Sequence, residues 1–253
     1  MLAEIQTFIL DTLFPINCIS CGRDDVWLCD DCLHDMELLS IQVCPKCEDA
    51  ITESGQTCRN CKSDSSLDAL LVATGYKDKT ISKLVHLYKY KFIESLHIPL
   101  GKILIKNLLR SQLAIPDIII PVPLHPRRLR WRGFNQSQLL VGYISQNLTP
   151  GFEVAVDETI LRRQRYTPPQ MKIKKYSERL SNLQDAFVVA RSIADGPPVG
   201  GPSASPQNLH GKTILLIDDI ATTGATLFEC AKVLKQNGAK KVFAAVIARQ
   251  EME

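Results

Sequence analysis

The chain has 253 residues, of which 45% are hydrophobic and 23% charged, with a formal net charge of +3. That length holds one large domain, or a medium domain with a small appendage. A balance so near neutrality excludes a protein drawn to nucleic acid by its whole-molecule charge. No apolar run reaches ~18 residues, which excludes an inserted membrane protein. The opening stretch from Met1 to Pro15 lacks a basic n-region and carries Glu4 and Asp11. No cleavable signal peptide is expected there, so a cytoplasmic location is expected.

The first elements are metal knuckles. Eight of the nine cysteines precede residue 62, as four Cys-x-x-Cys pairs: Cys18/Cys21, Cys29/Cys32, Cys44/Cys47 and Cys58/Cys61. In a reducing compartment such pairs hold metal more often than each other. Two intervening residues let both sulfurs turn toward one point, and two knuckles complete a tetrahedral zinc site. Short loops favour sequential ligation, Cys18/21/29/32 and Cys44/47/58/61, since small loops close at lower entropic cost. A cross-braced pairing remains open. Four thiolates leave no position for a reacting water, so both zincs are expected to be structural. Residues 1–64 are read as this double zinc module, and residues 65–253 as the second domain.

Strand and helix signals then alternate. Residues 67–74 read as a strand, residues 80–92 and 99–113 as amphipathic helices, and residues 117–121 as a buried strand. A loop rich in arginine follows, with Arg127, Arg128, Arg130 and Arg132 around Trp131. Asn135-x-x-Gln138 resembles a capping box opening a helix with Leu139, Leu140, Tyr143, Ile144 and Leu148 on one side. A second basic stretch, residues 162–179, carries Arg162, Arg163, Arg165, Lys172, Lys174, Lys175 and Arg179 against the single acid Glu178. Residues 195–209, rich in Gly, Pro and Ser, read as a mobile surface loop. Residues 214–217 are a strand, 224–237 a helix closed by Gly238, and 242–248 another strand. Strands alternating with helices imply an α/β fold with a parallel sheet.

In such a sheet, ligands sit beyond the carboxyl ends of the strands. Asp218 and Asp219 fall at one of these ends, where carboxylates can accept hydrogen bonds from vicinal hydroxyls. Thr222, Thr223, Gly224, Ala225 and Thr226 follow, with small side chains whose backbone amides can curl round a phosphate at a helix start. Acids for hydroxyls and a cradle for phosphate describe a ribose-5-phosphate site. The rival reading, a nucleotide hydrolase with Gly211-Lys212-Thr213 as the tail of a P-loop, fails because that tripeptide precedes its strand. His86 and His125 are isolated, and no general base stands out.

The run from Ile214 to Thr226 resembles the phosphoribosyl-pyrophosphate (PRPP) signature of type I phosphoribosyltransferases. Pro121-Val-Pro-Leu124, Arg132-Gly-Phe-Asn-Gln136, Arg165-x-x-x-x-Gln170, Arg179-x-x-Asn182 and Ala186-Phe187 further resemble the ComF branch, whose members carry a double zinc ribbon in front. The resemblance implies that Asp218 and Asp219 hold ribose and residues 222–226 the 5′-phosphate. It also implies that Val122, Pro123 and Leu124 turn round pyrophosphate, with residues 160–190 as a hood. Arg127, Arg128, Arg130, Arg132, Arg165 and Arg179 are the expected contacts to anions. Magnesium would arrive with PRPP, held mainly by its oxygens and water. Two functions are implied: a competence protein that binds PRPP and single-stranded DNA, alongside competence-machinery proteins, during natural transformation, or an active phosphoribosyltransferase with an unidentified acceptor. A docking adaptor built on the ribbon ranks third. Thr222 stands where purine salvage enzymes carry an acid, which removes their candidate base.

Overall fold

A computed structural model describes residues 16–167, 183–190 and 208–250. The expectations for Met1 to Pro15, for Arg179 and for most of the 195–209 loop lie outside these residues. Residues 208 and 209 are described, and Leu209 is buried.

Four strands form one parallel sheet: β1 (Ala69–Gly75), β2 (Ile118–Pro121), β5 (Thr213–Ala221) and β6 (Lys241–Arg249), in the order β1-β6-β5-β2. Helix α1 (Asp30–Asp35) precedes the sheet, and between its strands run α2 (Lys79–Tyr90), α3 (His97–Arg110), α4 (Pro126–Arg132), α5 (Gln136–Asn147) and α6 (Ala225–Gln236). Two short antiparallel strands, β3 (Leu161–Arg163) and β4 (Phe187–Val189), make a separate two-stranded sheet. No helix among the described residues is long and apolar enough to cross a membrane.

Alternation along each strand divides the core. Leu71, Ala73, Ile119, Leu215, Ile217, Ala245 and Ile247 meet α2, α3 and α5 on one face. Leu70, Val72, Ile118, Ile120, Leu216, Ala244 and Val246 meet α6 and the β3–β4 sheet on the other. Helix starts follow side-chain caps. Asp78 accepts from the Ile81 amide at 2.9 Å to open α2. Asn135 accepts from the Ser137 amide at 3.1 Å to open α5. The expected capping box is incomplete, because Gln138 reaches out to Glu158 at 2.8 Å instead. Helices α3 and α5 approach closely at Gly101, where a Cβ would lie 2.5 Å from the Tyr143 ring.

Two elements escaped the pattern reading. The arginine-rich segment is the helix α4, begun by Pro126 at its first turn and capped by His125 Nδ1, which accepts from the Arg127 amide at 3.1 Å. It is only seven residues long, too short for periodicity to register. The β3–β4 strands are three residues each and lie far apart in sequence, so no local hairpin signal joins them.

The zinc module packs onto the larger domain rather than hanging from it. Cys18, Leu28 and Cys29 belong to the same buried cluster as α2 and α3. Lys106 of α3 donates to the carbonyls of Leu33, His34 and Met36 at the end of α1. The free edge of β1 is sealed by Gln42, whose amide donates to Val72 O at 2.9 Å and accepts from Val72 N at 3.1 Å. A side chain thus substitutes for a missing neighbouring strand and blunts an edge open to unwanted pairing. Gln42→Leu strands both Val72 groups, and a loss of about 1–3 kcal/mol is expected, read as a lower denaturation midpoint with unchanged slope.

Candidate functional site

The crevice forms where β2 stops and β5 continues. Pairing of the two ends at Pro121 opposite Ile217, with one further bond from Val122 N to Ile217 O at 3.0 Å. Pro121 faces the outer edge of β2, where Ile119 N bonds Ala155 O; its missing N–H therefore costs no bond to β5. Val122 is buried and its carbonyl accepts from Asn135 Nδ2 at 3.1 Å, while Pro123 and Leu124 stay partly exposed on the turn into α4. Strand β5 runs to Ala221, past the expected end at residue 217, because β6 keeps pairing with it through Ala221 opposite Arg249.

Asp218 and Asp219 occupy this one-sided extension, and their environments differ. Asp219 is buried and its Oδ1 pairs with Lys89 Nζ of α2 at 2.9 Å, while also accepting from the Ile220 amide. Asp218 accepts from Ser137 Oγ at 3.1 Å and from the Asp219 amide at 2.9 Å. Burial and the neighbouring Asp219 charge push its pKa up to about 7, with Lys89 and the two hydrogen bonds opposing them. Lys89 and Ser137 were not foreseen, since each lies on a helix that only tertiary packing brings to β5.

Residues 222–226 turn from β5 into α6. Gly224 takes a left-handed conformation (φ 73°) as the helix cap, and Thr223 Oγ1 accepts from the Ala225 amide at 3.3 Å. The Thr222 carbonyl accepts from Arg249 Nε at 3.1 Å. Small residues and a left-handed glycine leave a backbone cradle at the positive end of a twelve-residue helix. Such a cradle can accept an anion.

The arginines divide. Arg127 and Arg130 are exposed on α4, and Arg127 lies over the Tyr166 ring at 5.4 Å. Arg128 instead turns inward, donating to Thr167 O at 3.1 Å, and burial followed by Arg132 pulls its pKa down. Arg132 donates to Gln136 Oε1 at 2.8 Å. Arg165 is exposed and donates to the Gln184 carbonyl. Arg163, named among the basic residues but not as a contact, is buried on β3. It donates to Thr167 Oγ1 and lies over the Phe187 ring at 5.2 Å. Burial, then Arg128, lowers the Arg163 pKa to about 10. His125 is held below its usual value by burial and by Arg127, Arg163, Arg128 and Arg130. Phe134 packs against the core, whereas Trp131 is 63% exposed and meets Phe92 edge-on at 5.3 Å.

The cysteines cluster sequentially, Cys18/21/29/32 and Cys44/47/58/61, with the four sulfurs of each set within 4.8 Å of one another. The cross-braced alternative is excluded. Separations of 3.7 Å (Cys21–Cys29) and 4.0 Å (Cys47–Cys58) suit thiolates sharing one tetrahedral ion at about 2.3 Å. At Cys18, burial opposes ionisation, but amides from Cys21, Cys29 and Ser20 outweigh it and bring the pKa to about 6. Both sets are consistent with structural zinc. The ninth cysteine, Cys230, is buried under β5, where burial and Asp218 raise its pKa far above the ordinary value.

This fold and site define a phosphoribosyltransferase-type α/β domain carrying a double zinc ribbon. A phosphoribosyl transferase domain profile matches residues 156–252, and a double zinc ribbon profile residues 9–62. Similar proteins include competence protein F of Haemophilus influenzae, 29% identical over 90% of this chain and 95% of that protein. The DNA utilization protein YhgH of Salmonella typhimurium is 30% identical over 80% of this chain and 82% of its own. Competence protein ComFC of Streptococcus pneumoniae is 29% identical over 87% and 86%. The chain belongs to the ComF/ComFC-type family of competence proteins.

The raised Asp218 pKa fixes the sign of a pH effect. The folded protein keeps a proton that the unfolded chain loses between about pH 4 and about pH 7, so this group makes stability fall as pH rises through that window. Asp218→Asn keeps the acceptor for Ser137 and removes the partly buried charge. Its melting temperature is expected to exceed that of the parent by about 3 °C at pH 8 and by less at pH 5, in a calorimetric series.

Proposed function

We propose that this protein binds magnesium–PRPP in the crevice beside β5 and single-stranded DNA along α4, and that it works in DNA uptake. The observation that carries the first part is the extension of β5 past β2. It places a partly exposed acid, Asp218, and its neighbour Asp219 just ahead of a glycine-capped helix start. Carboxylates there would accept hydrogen bonds from ribose hydroxyls, and the amides of residues 222–226 would take the 5′-phosphate. The turn at residues 122–124 would meet pyrophosphate. Magnesium, when bound with PRPP, offsets the negative charge gathered there. The names of the similar proteins, in competence and DNA utilization, support the biological setting.

The DNA reading rests on a surface that combines cations with open aromatic rings. Arg127 and Arg130 are exposed beside Trp131 at 63% and Tyr166 at 45% exposure. Guanidinium groups attract the phosphate backbone without sequence preference, and exposed rings stack bases.

Calorimetric titration tests the ligand. Magnesium–PRPP should bind the parent protein, and Asp218→Ala/Asp219→Ala should abolish detectable binding; survival of binding in that variant defeats the ribose assignment. Pyrophosphate release during incubation with candidate acceptors would mark the site as one for transfer. For DNA, the plot of log affinity against log salt should become shallower by about 1.4 when Arg127 and Arg130 are both replaced by Ala, at ~0.7 per lost phosphate contact. An unchanged slope would remove α4 from the DNA track.

A further inference from the structure

The second zinc knuckle reaches the back of the phosphate loop through two intermediaries, Arg249 and Phe228. The knuckle turn, Cys44-Pro-Lys-Cys47-Glu48, ends in a left-handed residue: Glu48 has φ 60° and its amide bonds Cys44 O at 2.9 Å. That turn aims the Glu48 carboxylate at Arg249, the last residue of β6, whose Nη2 donates to Glu48 Oε1. The same guanidinium donates through Nε to the Thr222 carbonyl at 3.1 Å. A planar fork with fixed geometry therefore joins the ribbon to the first residue of the loop. The second contact comes from Lys46, whose ammonium lies 5.9 Å from the centre of the Phe228 ring. Phe228 in turn covers Gly224, where a Cβ would sit only 3.3 Å from its ring. Both ends of the 222–224 turn are thus braced by residues flanking Cys47.

We propose that Arg249 and Glu48 are positioning residues for the phosphate loop, so that the second zinc knuckle is a built-in wall of the ligand site. The inference rests on the phosphate reading of residues 222–226 and deepens it by assigning the ribbon a part in binding. Loop amides must converge on one point to hold a phosphate, and a loop free to open loses that convergence. The strand end supplies one anchor, since Gln250 N bonds Ala221 O at 2.9 Å. Arg249 supplies the other, and Glu48 decides where its guanidinium lies. Glu48 is partly exposed and approaches no reacting atom, so its role is exerted through Arg249.

The test uses the full-length zinc-loaded protein with Glu48→Gln, Arg249→Met, Arg249→Lys and the Glu48→Gln/Arg249→Met double variant. Amide hydrogen exchange over residues 222–226 is read without ligand, and magnesium–PRPP affinity is read by calorimetry. Glu48→Gln and Arg249→Met should speed exchange at 222–226 while leaving residues 18–32 at the parent rate. Affinity should fall roughly five- to tenfold in each, as expected for loss of a charge-assisted contact. The double variant should be no weaker than Arg249→Met alone, because the two act as one unit. Arg249→Lys should fall between parent and Arg249→Met, since an ammonium cannot serve both partners in the fork geometry. Parent-like exchange at 222–226 in Glu48→Gln and Arg249→Met overturns the proposal, whatever the affinity. If the parent itself binds no PRPP while both variants still exchange faster, the brace stands and the ligand reading falls. Glu48 is half exposed, so Glu48→Gln decides the matter even where Arg249→Met fails to fold.

Discussion

Everything at the site depends on a mismatch in strand length. Strand β2 gives up its last bond at Val122, whereas β5 and β6 stay paired as far as Ala221 and Arg249. The extra length of β5 has a neighbour on one side only, and polar side chains there can face a crevice. Had β2 continued, residues 218–221 would lie in a closed sheet, and two acids there would carry a prohibitive desolvation cost.

The environment around that extension separates charge by sign. Lys89 offsets Asp219 from α2, and Asp218 is left with two hydrogen bonds and a raised pKa. Burial, and then the arginines gathered from α4 and β3, depress both His125 and Arg163. Mutual repulsion of like charges in a partly buried setting is an arrangement that an anionic ligand relieves.

The zinc ribbon serves three surfaces at once. Its first knuckle fills the core beside α2 and α3. Gln42 closes the edge of β1, and Glu48 reaches across to the end of β6. Metal held by the two cysteine sets would supply the folding energy that so small a segment cannot draw from its own apolar area. Ordering the knuckles would then also brace the sheet edge and the back of the turn at residues 222–224.

The sequence alone determined the parallel α/β architecture, the four cysteine pairs and the strand–acid–threonine–glycine run, because each is written in short-range spacing. Periodicity of two and of 3.6 reports burial directly, and a Cys-x-x-Cys turn is a local geometry. Lys89, Ser137 and Arg163 were beyond reach, each being an ordinary residue on an element whose neighbours are set only by folding. The helical state of 126–132 and the pairing of 161–163 with 187–189 were lost to brevity and separation. Sequential zinc pairing, left open by spacing, was decided by the positions of the sulfurs. The contact from Glu48 to Arg249 spans 201 residues; only the packing of ribbon against sheet brings them together, since no local rule links positions so far apart along a chain.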